Sequence, residues 1–336
     1  MAWTIGKMFS GGGRHGLNFC DVISLDNLFL AWREFSRGKK KKQDIAGFEL
    51  NLEDNIFRLH ELLRDGDWVP DPYVSFRVCD PKPRTIHKAS VRDRVLFQAV
   101  YRKSYQIFDP GFIFDSYSSR LGKGTHAGIE RFDRFACKMT GNHRRRGFVL
   151  KCDVKRFFDT IDHGVLILLI ARKIKDERMI SLLRQIIFSF EKTPGKGLPL
   201  GNVTSQLFAN IYLNELDQFV KHKLKVKFYI RYCDDFVILH ESFDVLLARL
   251  TEIGKFLDEN LRLSLHGRKV LIGKIHSGTD FLGYVSLSHR RVLRTRTKQR
   301  MFRRINSANL ASYLGILSHC MGNTMKGKIF EKLKKK

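Results

Sequence analysis

The sequence predicts an α+β protein in which helices back a central antiparallel sheet. Apolar residues recur three and four positions apart across residues 24–64, which is the helical period. Short apolar strand segments follow farther along the chain, and they do not alternate with helices in the regular βαβ order of a doubly wound sheet. With 336 residues, 43% of them hydrophobic, the chain can bury a sizeable core as one large unit or two or three smaller ones.

The charge balance predicts a polyanionic partner. Lysine and arginine number 61 against 34 aspartates and glutamates, and the formal net charge is +27. Nucleic acid is the simplest partner for a folded chain this basic. Membrane is disfavoured, because the longest apolar run, near residues 165–171, is far too short for a span and the first residues lack a signal-peptide pattern. Six scattered cysteines without a CxxC pair indicate reduced thiols of an intracellular protein.

The first half of the chain predicts helices interrupted by one strand-like stretch. Residues 1–23 are glycine-rich and weakly patterned, which indicates a flexible lead-in. Two helices are predicted within residues 24–64, separated by the basic loop SRGKKKKQ. The proline-broken stretch WVPDPYVSFRVCDPKPRTI predicts turn and strand, and residues 91–108 return to the helical pattern.

The second half mixes short strands with longer helices. FVLKCD predicts a strand that runs into a turn and a helix, and PLGNVTSQLFANIYLNELDQFVKHKL predicts a turn and a long amphipathic helix. A hairpin at YIRYCDDFVILH, a helix over 244–260 and short strands at LSLH and DFLGYVSL follow. The last stretch, 290–336, is basic and is predicted to be helical.

Two adjacent aspartates, Asp234 and Asp235, lie at the tip of the predicted hairpin. Neighbouring carboxylates repel each other, so burying them is costly unless a cation completes them. Asp153, at the end of the apolar strand FVLKCD, supplies a third carboxylate at a strand end. Three such groups can ligate two Mg²⁺ ions for phosphoryl transfer. An ordinary aspartate-containing turn and three unrelated surface aspartates are the alternatives that spacing alone leaves open.

Seven segments carry a resemblance to reverse transcriptases, and they occur in that family's order over roughly residues 24–320. They are KPRTIHKASVRDRVLFQAV, SYSSRLGKGTHAGI, CDVKRFFDTIDH, GLPLGNVTSQLFANIYLNELD, YCDD, HGRKVLI and FLGY. The resemblance implies a right-hand polymerase that copies RNA into DNA. Its fingers (with part of the palm) would span 24–145, its palm with the antiparallel sheet 146–288, and its basic helical thumb and C-terminal tail 289–336.

The resemblance also implies roles for the carboxylates and for one aromatic residue. Asp153, Asp234 and Asp235 would bind two Mg²⁺ ions, with Mn²⁺ as a substitute. Phe158 would be the steric gate that disfavours a ribonucleotide 2′-OH, and its alternative is a core aromatic, as expected for neighbouring Phe157. These assignments are expectations that the resemblance transfers position by position.

Further positions would surround the nucleotide and the template. Arg84, with Lys82, would meet the triphosphate, for which the bidentate guanidinium is suited. Leu200, where most relatives have glutamine, Gly201 and Gln206 would lie against the nucleotide and template base, and Lys269 would protonate departing pyrophosphate. Arg120 and Lys123 would contact the template backbone. The alternatives are an ordinary turn glycine at Gly201, an aliphatic packing residue at Leu200 and solvent-exposed cations at the lysine and arginine positions.

Leu200 and the Ser205-Gln206 pair resemble the enzymes of diversity-generating retroelements, as does the short length. This resemblance implies error-prone cDNA synthesis with template RNA, an RNA/DNA duplex and dNTPs as partners, together with a small basic accessory protein oligomer. It also implies a cytoplasmic location in a bacterial, archaeal or phage-encoded setting. The alternatives are a retron or phage-defence reverse transcriptase and a maturase-like RNA-binding protein.

Overall fold

The computed structural model describes residues 17–79 and 83–334. Its helices are α1 (Phe19–Ile23), α2 (Leu25–Ser36), α3 (Gln43–Leu50), α4 (Leu52–Asp65), α5 (Val91–Phe108), α6 (Thr125–Met139), α7 (Phe157–Thr160), α8 (His163–Ala171), α9 (Glu177–Phe188), α10 (Val203–Gln218), α11 (Phe243–Leu261), α12 (Thr295–Arg304), α13 (Leu310–Leu317) and α14 (Asn323–Lys334). Its strands are β1 (Val74–Cys79), β2 (Pro83–Lys88), β3 (Phe148–Asp153), β4 (Tyr229–Tyr232), β5 (Asp235–His240), β6 (Leu271–Lys274), β7 (Thr279–Phe281), β8 (Tyr284–Leu287) and β9 (Arg290–Leu293). Most helices predicted from periodicity are confirmed.

The predicted flexible lead-in contains a buried helix. Residues 1–16 lie outside the described residues, but α1 follows directly and buries Phe19, Val22 and Ile23. The side chain of Asn18 accepts a hydrogen bond from the backbone N–H of Cys20 at 2.9 Å, which caps the helix start. The lead-in interpretation is therefore wrong for residues 19–23, because a capped turn with three apolar side chains packs on the core.

An N-terminal helical layer and an exposed hairpin precede the main sheet. Helix α2 packs along α5, and the hydroxyls of Ser24 and Ser90 cap the two helices by accepting from Asn27 and Asp93 N–H groups. Strands β1 and β2 pair antiparallel with Val74 opposite Lys88. Most of this hairpin is exposed, so its side chains are free to meet a ligand.

The central sheet is antiparallel and has the strand order β4-β5-β3-β6. On one face, Leu150 of β3 and Ile238 of β5 join the large core formed with α8, α9 and α10. On the other face, Val149 and Val237 join a second core with α6 and the C-terminal helices. Because successive strand residues point to opposite faces, Asp153 and Asp235 fall on the second face. The predicted antiparallel sheet backed by helices is confirmed.

The C-terminal region begins with a strand rather than a helix. Strands β7, β8 and β9 form a separate three-stranded antiparallel sheet, and β9 (Arg290–Leu293) lies inside the stretch predicted to be helical. The expected boundary at residue 289 therefore divides a hairpin, since Leu287 pairs with Arg290 across the β8–β9 turn. Helices α12, α13 and α14 follow as predicted. Within residues 17–79 and 83–334, we find no helix that combines the length and the apolar character needed to cross a membrane.

Candidate active site

The three predicted carboxylates meet at one end of the central sheet. Asp153 ends β3 and lies directly opposite Asp235, which begins β5. Asp234 precedes Asp235 in the tight turn after β4, and its backbone carbonyl accepts a hydrogen bond from Val154 N–H at 3.3 Å. The hairpin and its acidic tip, predicted from YIRYCDDFVILH, are confirmed. Two segments that are distant in sequence thus bring their strand-end aspartates together.

Burial and mutual repulsion act on these carboxyl groups. Burial raises the pKa of Asp234, and the charge of Asp153 adds to the rise. Burial and the charge of Asp234 raise the pKa of Asp235 to about 6. One cation is already in place, since Lys269 Nζ donates to Asp153 Oδ2 at 2.5 Å. The site therefore concentrates more negative charge than the chain itself compensates.

The donor set fits a hard divalent cation. Its members are carboxylate oxygens, the ligands that Mg²⁺ prefers. A bound cation would offset the burial and the repulsion that together raise the two pKa values. Among the residues that the structure describes, no group of three or more histidine, cysteine or acidic side chains is arranged so that it could hold a metal ion without further ligands. A site completed by substrate phosphates and water agrees with both observations.

A cavity of about 420 Å³ opens beside the carboxylates. Asp153 and Asp235 line it together with Lys151, Lys269 and Arg294. The amine of Lys151 donates to the carbonyl of Asp280 at 2.8 Å, and Arg294 Nε donates to the Asp280 carboxylate at 2.7 Å. The cavity thus joins a negative end at the strand tips to a basic wall, the charge arrangement that suits a phosphate bound through a cation.

A buried ion pair holds the acidic turn from behind, and the sequence patterns did not reveal it. Arg231 and Asp217 have side chains with 0% exposure, and Arg231 Nη2 lies 2.6 Å from Asp217 Oδ2. Arg231 Nη1 donates to the carbonyl of Cys233 at 3.1 Å and to Asn210 Oδ1 at 3.2 Å. The hydroxyl of Tyr229 donates to Asp217 Oδ1 at 2.7 Å. Because Cys233 precedes Asp234 and has a φ of 55°, this network fixes the backbone that carries Asp234 and Asp235.

The electrostatics of that pair favour its charged form. Burial acts to lower the pKa of Arg231, but the charge and hydrogen bonds of Asp217 outweigh it and raise the pKa above its ordinary value. Asp217 belongs to α10 and Arg231 to β4, which are separated by the π-helical segment Phe219–Lys223. The apolar periodicity of α10 predicts only which face of the helix packs on the core and does not indicate that Asp217 is buried. Nothing in the sequence indicates that an arginine in a strand, such as Arg231, is buried.

Phe158 is hydrogen-bonded through its backbone to the segment that precedes α10. The ring of Phe158 is half-buried and lies 5.4 Å from the ring of Phe157, centroid to centroid, and Phe157 is 2% exposed. The carbonyl of Phe158 accepts from Leu198 N–H at 2.7 Å. The core position expected for Phe157 is confirmed, and the partial exposure of Phe158 leaves it able to meet a ligand.

Gly201 is held where a side chain does not fit. Its φ is 113°, and a Cβ atom built there would lie 2.9 Å from Cγ2 of Ile86 on β2. The preceding residue, Leu200, is half-buried, and its carbonyl accepts from His87 N–H at 3.2 Å. The β1–β2 hairpin is therefore docked on the turn through backbone contact, which explains why a glycine is needed at this position.

The remaining predicted positions divide into two groups. Gln206 is exposed in the first turn of α10, and Arg84 is exposed on β2, opposite Val78. Both side chains can contact a ligand. Lys82 lies outside the described residues.

Arg120 does not fit its predicted contact with template, because its guanidinium donates to Asp109 Oδ1 and to the Ile113 carbonyl, both at 2.6 Å.

Lys123 is occupied in the same way as Arg120. Its amine donates to the Phe114 carbonyl at 2.9 Å and lies 3.3 Å from the centre of the Phe114 ring. We therefore assign Arg120 and Lys123 to holding the loop between α5 and α6, which corrects the prediction of template contacts for both residues.

Phe158→Ala is expected to increase ribonucleotide incorporation without a large loss of stability. The substitution would remove a half-buried ring, which in the gate assignment is the bulk that excludes a 2′-OH. Phe157→Ala is the matched control, because deleting a ring that is 2% exposed costs about 3–5 kcal/mol and opens no path to substrate. Thermal melting and single-nucleotide incorporation of rNTP and dNTP measure both effects. A stably folded Phe158→Ala variant that still rejects rNTPs would remove the gate assignment.

An antiparallel sheet that presents paired aspartates at a hairpin tip, flanked by helical layers, defines the palm of a right-hand nucleic-acid polymerase. The family described as "Reverse transcriptase (RNA-dependent DNA polymerase)" matches residues 80–286, more than half of the chain. The chain therefore belongs to the reverse transcriptase family, the RNA-directed DNA polymerases.

Proteins from two bacteria share parts of this sequence. The chain is 33% identical over 186 residues to "Group II intron-encoded protein LtrA" of Lactococcus lactis subsp. cremoris, an alignment that covers 52% of this chain and 30% of LtrA. It is 26% identical over 268 residues to "Protein YkfC" of Escherichia coli (strain K12), which covers 67% of this chain and 69% of YkfC. The chain thus spans less than a third of LtrA.

The fold has a counterpart among solved structures. Telomerase from Candida albicans, solved with a fragment of telomeric RNA, superposes with a TM-score of 0.50 at 12% sequence identity, covering 67% of this chain and 46% of that chain. At this identity the match concerns the fold alone. The predicted reverse transcriptase family and right-hand fold are confirmed, whereas the narrower diversity-generating assignment stays a prediction.

Proposed function

We propose that this chain is an RNA-directed DNA polymerase that extends a primer along an RNA template. The observation that carries the proposal is the pairing of Asp153 with Asp235 across β3 and β5, with Asp234 in the adjoining turn and a cation-lined cavity beside them. Phosphoryl transfer needs concentrated carboxylates next to phosphate-binding cations. The family match supports the same activity.

The proposal gives each of the residues around the site a task. Asp153, Asp234 and Asp235 would hold Mg²⁺, with two ions as the expected number and Mn²⁺ as a substitute; bound there, the metal would stabilise charge on the attacking and leaving oxygens. Arg84 would bind the triphosphate from the exposed β2 strand. Lys269, whose Nζ lies 2.5 Å from Asp153, would hold a proton close to departing pyrophosphate.

Primer extension is the direct test of the proposed activity. A DNA primer annealed to an RNA template, with dNTPs and Mg²⁺, should be elongated by the full chain, and omission of Mg²⁺ or addition of a chelator should stop elongation. The same reaction on an unprimed RNA gives the background. An enzyme preparation that binds the primed RNA but adds no nucleotide would contradict the proposal.

We further propose error-prone cDNA synthesis in a diversity-generating retroelement as the particular role. Leu200, in the position where most relatives carry glutamine, and the Ser205-Gln206 pair support it. The names of the relatives favour a second candidate, a polymerase or maturase-like protein that works with a group II intron RNA. A template repeat near the gene that matches a variable region except at adenines would support the first role, and flanking intron RNA the second.

Leu200→Gln is expected to lower misincorporation opposite template adenine more than opposite other bases. Leucine cannot donate or accept a hydrogen bond, whereas a glutamine amide can fix the template strand or the neighbouring protein. A tenfold change in error frequency needs only ~1.4 kcal/mol. Leu247→Gln, at a leucine that is 49% exposed on α11, is the control. Error frequencies are measured at each template base with any accessory protein and RNA supplied. Equal errors at adenine in both variants would exclude Leu200 from fidelity.

A further inference from the structure

A second cavity, of about 830 Å³, lies away from the carboxylates. It is enclosed by the C-terminal half of α6, the loop after it, the turn between β8 and β9, and the residues that follow α13. We call it the α6–β9 groove. Among the described residues, none lines both this groove and the active-site cavity. It is therefore a separate surface rather than an extension of the polymerase site.

The acidic side chains in the groove are already paired. Asp133 accepts hydrogen bonds from Ser286 Oγ at 2.5 Å and from Arg291 Nε at 2.9 Å. Glu130 Oε1 lies 3.4 Å from Nδ1 of His319. These contacts join α6 to the β8–β9 hairpin and to the turn after α13, so they build the floor of the groove. Arg291 balances the charge of Asp133, whereas the partner of Glu130 is a histidine, so at most one negative charge in the groove lining stands against its cations.

Three exposed cations line the groove, and three more follow in the loop after one of its lining residues. Arg134, Lys138 and Arg290 line the groove, and Arg144, Arg145 and Arg146 follow its lining residue His143 along the loop. Over residues 17–79 and 83–334, none of these six side chains forms a hydrogen bond or an ion pair. Repulsion among six unpaired cations is relieved by a bound polyanion.

The loop that presents three of these arginines is fixed by its own hydrogen bonds. Gly141, Asn142 and His143 all have left-handed backbone conformations, with φ of 58°, 59° and 64°. Asn142 N–H donates to the Cys137 carbonyl at 2.8 Å, and Arg145 N–H donates to the Thr140 carbonyl at 2.8 Å. His143 N–H donates to Thr140 Oγ1 at 3.0 Å. The backbone that carries these arginines is therefore fixed before a ligand binds, which lowers the conformational entropy lost on binding.

The side chains of the groove suit phosphate better than protein. Arginine, lysine, histidine, serine and asparagine, the side chains that contact nucleic-acid phosphates, make up most of its polar lining. The acidic members are Asp133, which pairs with Arg291, and Glu130, which lies beside His319. None of the large exposed apolar residues of the described chain lines the groove, so it lacks the apolar centre of a protein–protein interface. We propose that the α6–β9 groove binds the phosphate backbone of an RNA stem outside the template–primer duplex, a function beyond the proposed polymerisation.

The test compares two charge-matched variants of the full chain. The groove variant carries Arg134→Gln, Arg144→Gln, Arg146→Gln and Arg290→Gln, and the control carries Arg33→Gln, Arg37→Gln, Arg58→Gln and Arg184→Gln, all at exposed positions. The probe is a stem–loop RNA added to enzyme already saturated with a short primer–template. The groove variant should bind the probe about tenfold or more weakly, with a log–log salt slope lower by about 3, since each lost phosphate contact removes about 0.7–0.9. Extension of the short primer–template should stay unchanged.

Several results would overturn the proposal. The proposal fails if the salt slope of the groove variant is unchanged. It also fails if the control variant loses as much affinity for the stem–loop as the groove variant does, or if the groove variant loses as much affinity for the primer–template as for the stem–loop. Competition by polyglutamate as effective as competition by RNA would exclude RNA as the occupant. In the unmutated chain, a thiouridine-containing stem–loop should crosslink to peptides within residues 134–146, and absence of that crosslink overturns the proposal without relying on a variant. Because probe binding needs no catalysis, failure of primer extension would leave this test readable.

Discussion

Asp234→Asn is expected to abolish primer extension while RNA binding stays close to that of the unmutated chain. Asp234 lies in the turn beside the Asp153–Asp235 pair, and burial already raises its pKa. The substitution removes a negative charge with little change in shape, so a hard cation bound as proposed would lose a ligand. The loss should be on the order of 10²–10³-fold or more, the range for removing one group that stabilises transition-state charge. Phosphate contacts by lysine and arginine supply most RNA affinity and are untouched.

The matched control for this prediction is Asp258→Asn, at an exposed position of α11. This substitution makes the same change of charge and shape at a position outside the hairpin, so primer extension and RNA binding should both stay unchanged. Extension of a primed RNA and binding of that RNA are measured separately. Extension that survives in Asp234→Asn, in a preparation that binds RNA normally, would show that this carboxylate does not hold the metal.

Local sequence patterns predicted the acidic hairpin because its signal is short-range. Alternating apolar residues around Asp234 and Asp235 define two strands and a tip, and both strands form as expected. Asp153 could be placed at a strand end for the same reason. What spacing could not supply is the register that sets Asp153 opposite Asp235, since pairing between distant strands depends on the whole sheet. The family resemblance supplied that juxtaposition.

Tertiary contacts decide the positions that the sequence misplaced or missed. Arg120 follows a serine-rich loop and has the appearance of a free cation, but Asp109, eleven residues earlier, accepts its guanidinium hydrogen bond. Strand β9 lies in a strongly basic stretch that predicts a helix, and its pairing with β8 prevails over that local preference. Asp217 carries no signal for burial because α10 holds several other polar residues, and Arg231 is a single charged residue in a four-residue strand. Their burial is visible only when α10 and β4 are packed together.

Asp217→Ala is expected to lower the free energy of unfolding by about 3–5 kcal/mol, the cost of leaving a buried charge without its partner. Arg231 and Asp217 have no exposed side-chain surface, and three hydrogen bonds from Arg231 and Tyr229 end on Asp217. Glu252→Ala is the matched control, because the Arg249–Glu252 pair on α11 is exposed by 31% and 44%. Its loss should cost about 1 kcal/mol or less. Denaturant unfolding of both variants measures the difference, and equal midpoints would contradict the buried-pair account.

The double variant Asp217→Leu with Arg231→Met separates stability from positioning. Replacing a buried ion pair by apolar side chains of similar volume is often neutral or stabilising, so the double variant should be distinctly more stable than Asp217→Ala. Primer extension should nevertheless remain low, because methionine cannot donate to the Cys233 carbonyl as Arg231 Nη1 does at 3.1 Å. The left-handed backbone at Cys233 would then lose the contact that orients Asp234 and Asp235. If kcat returns to normal together with stability, the network acts on folding alone; if stability returns while kcat stays low with RNA affinity intact, Arg231 positions the catalytic turn.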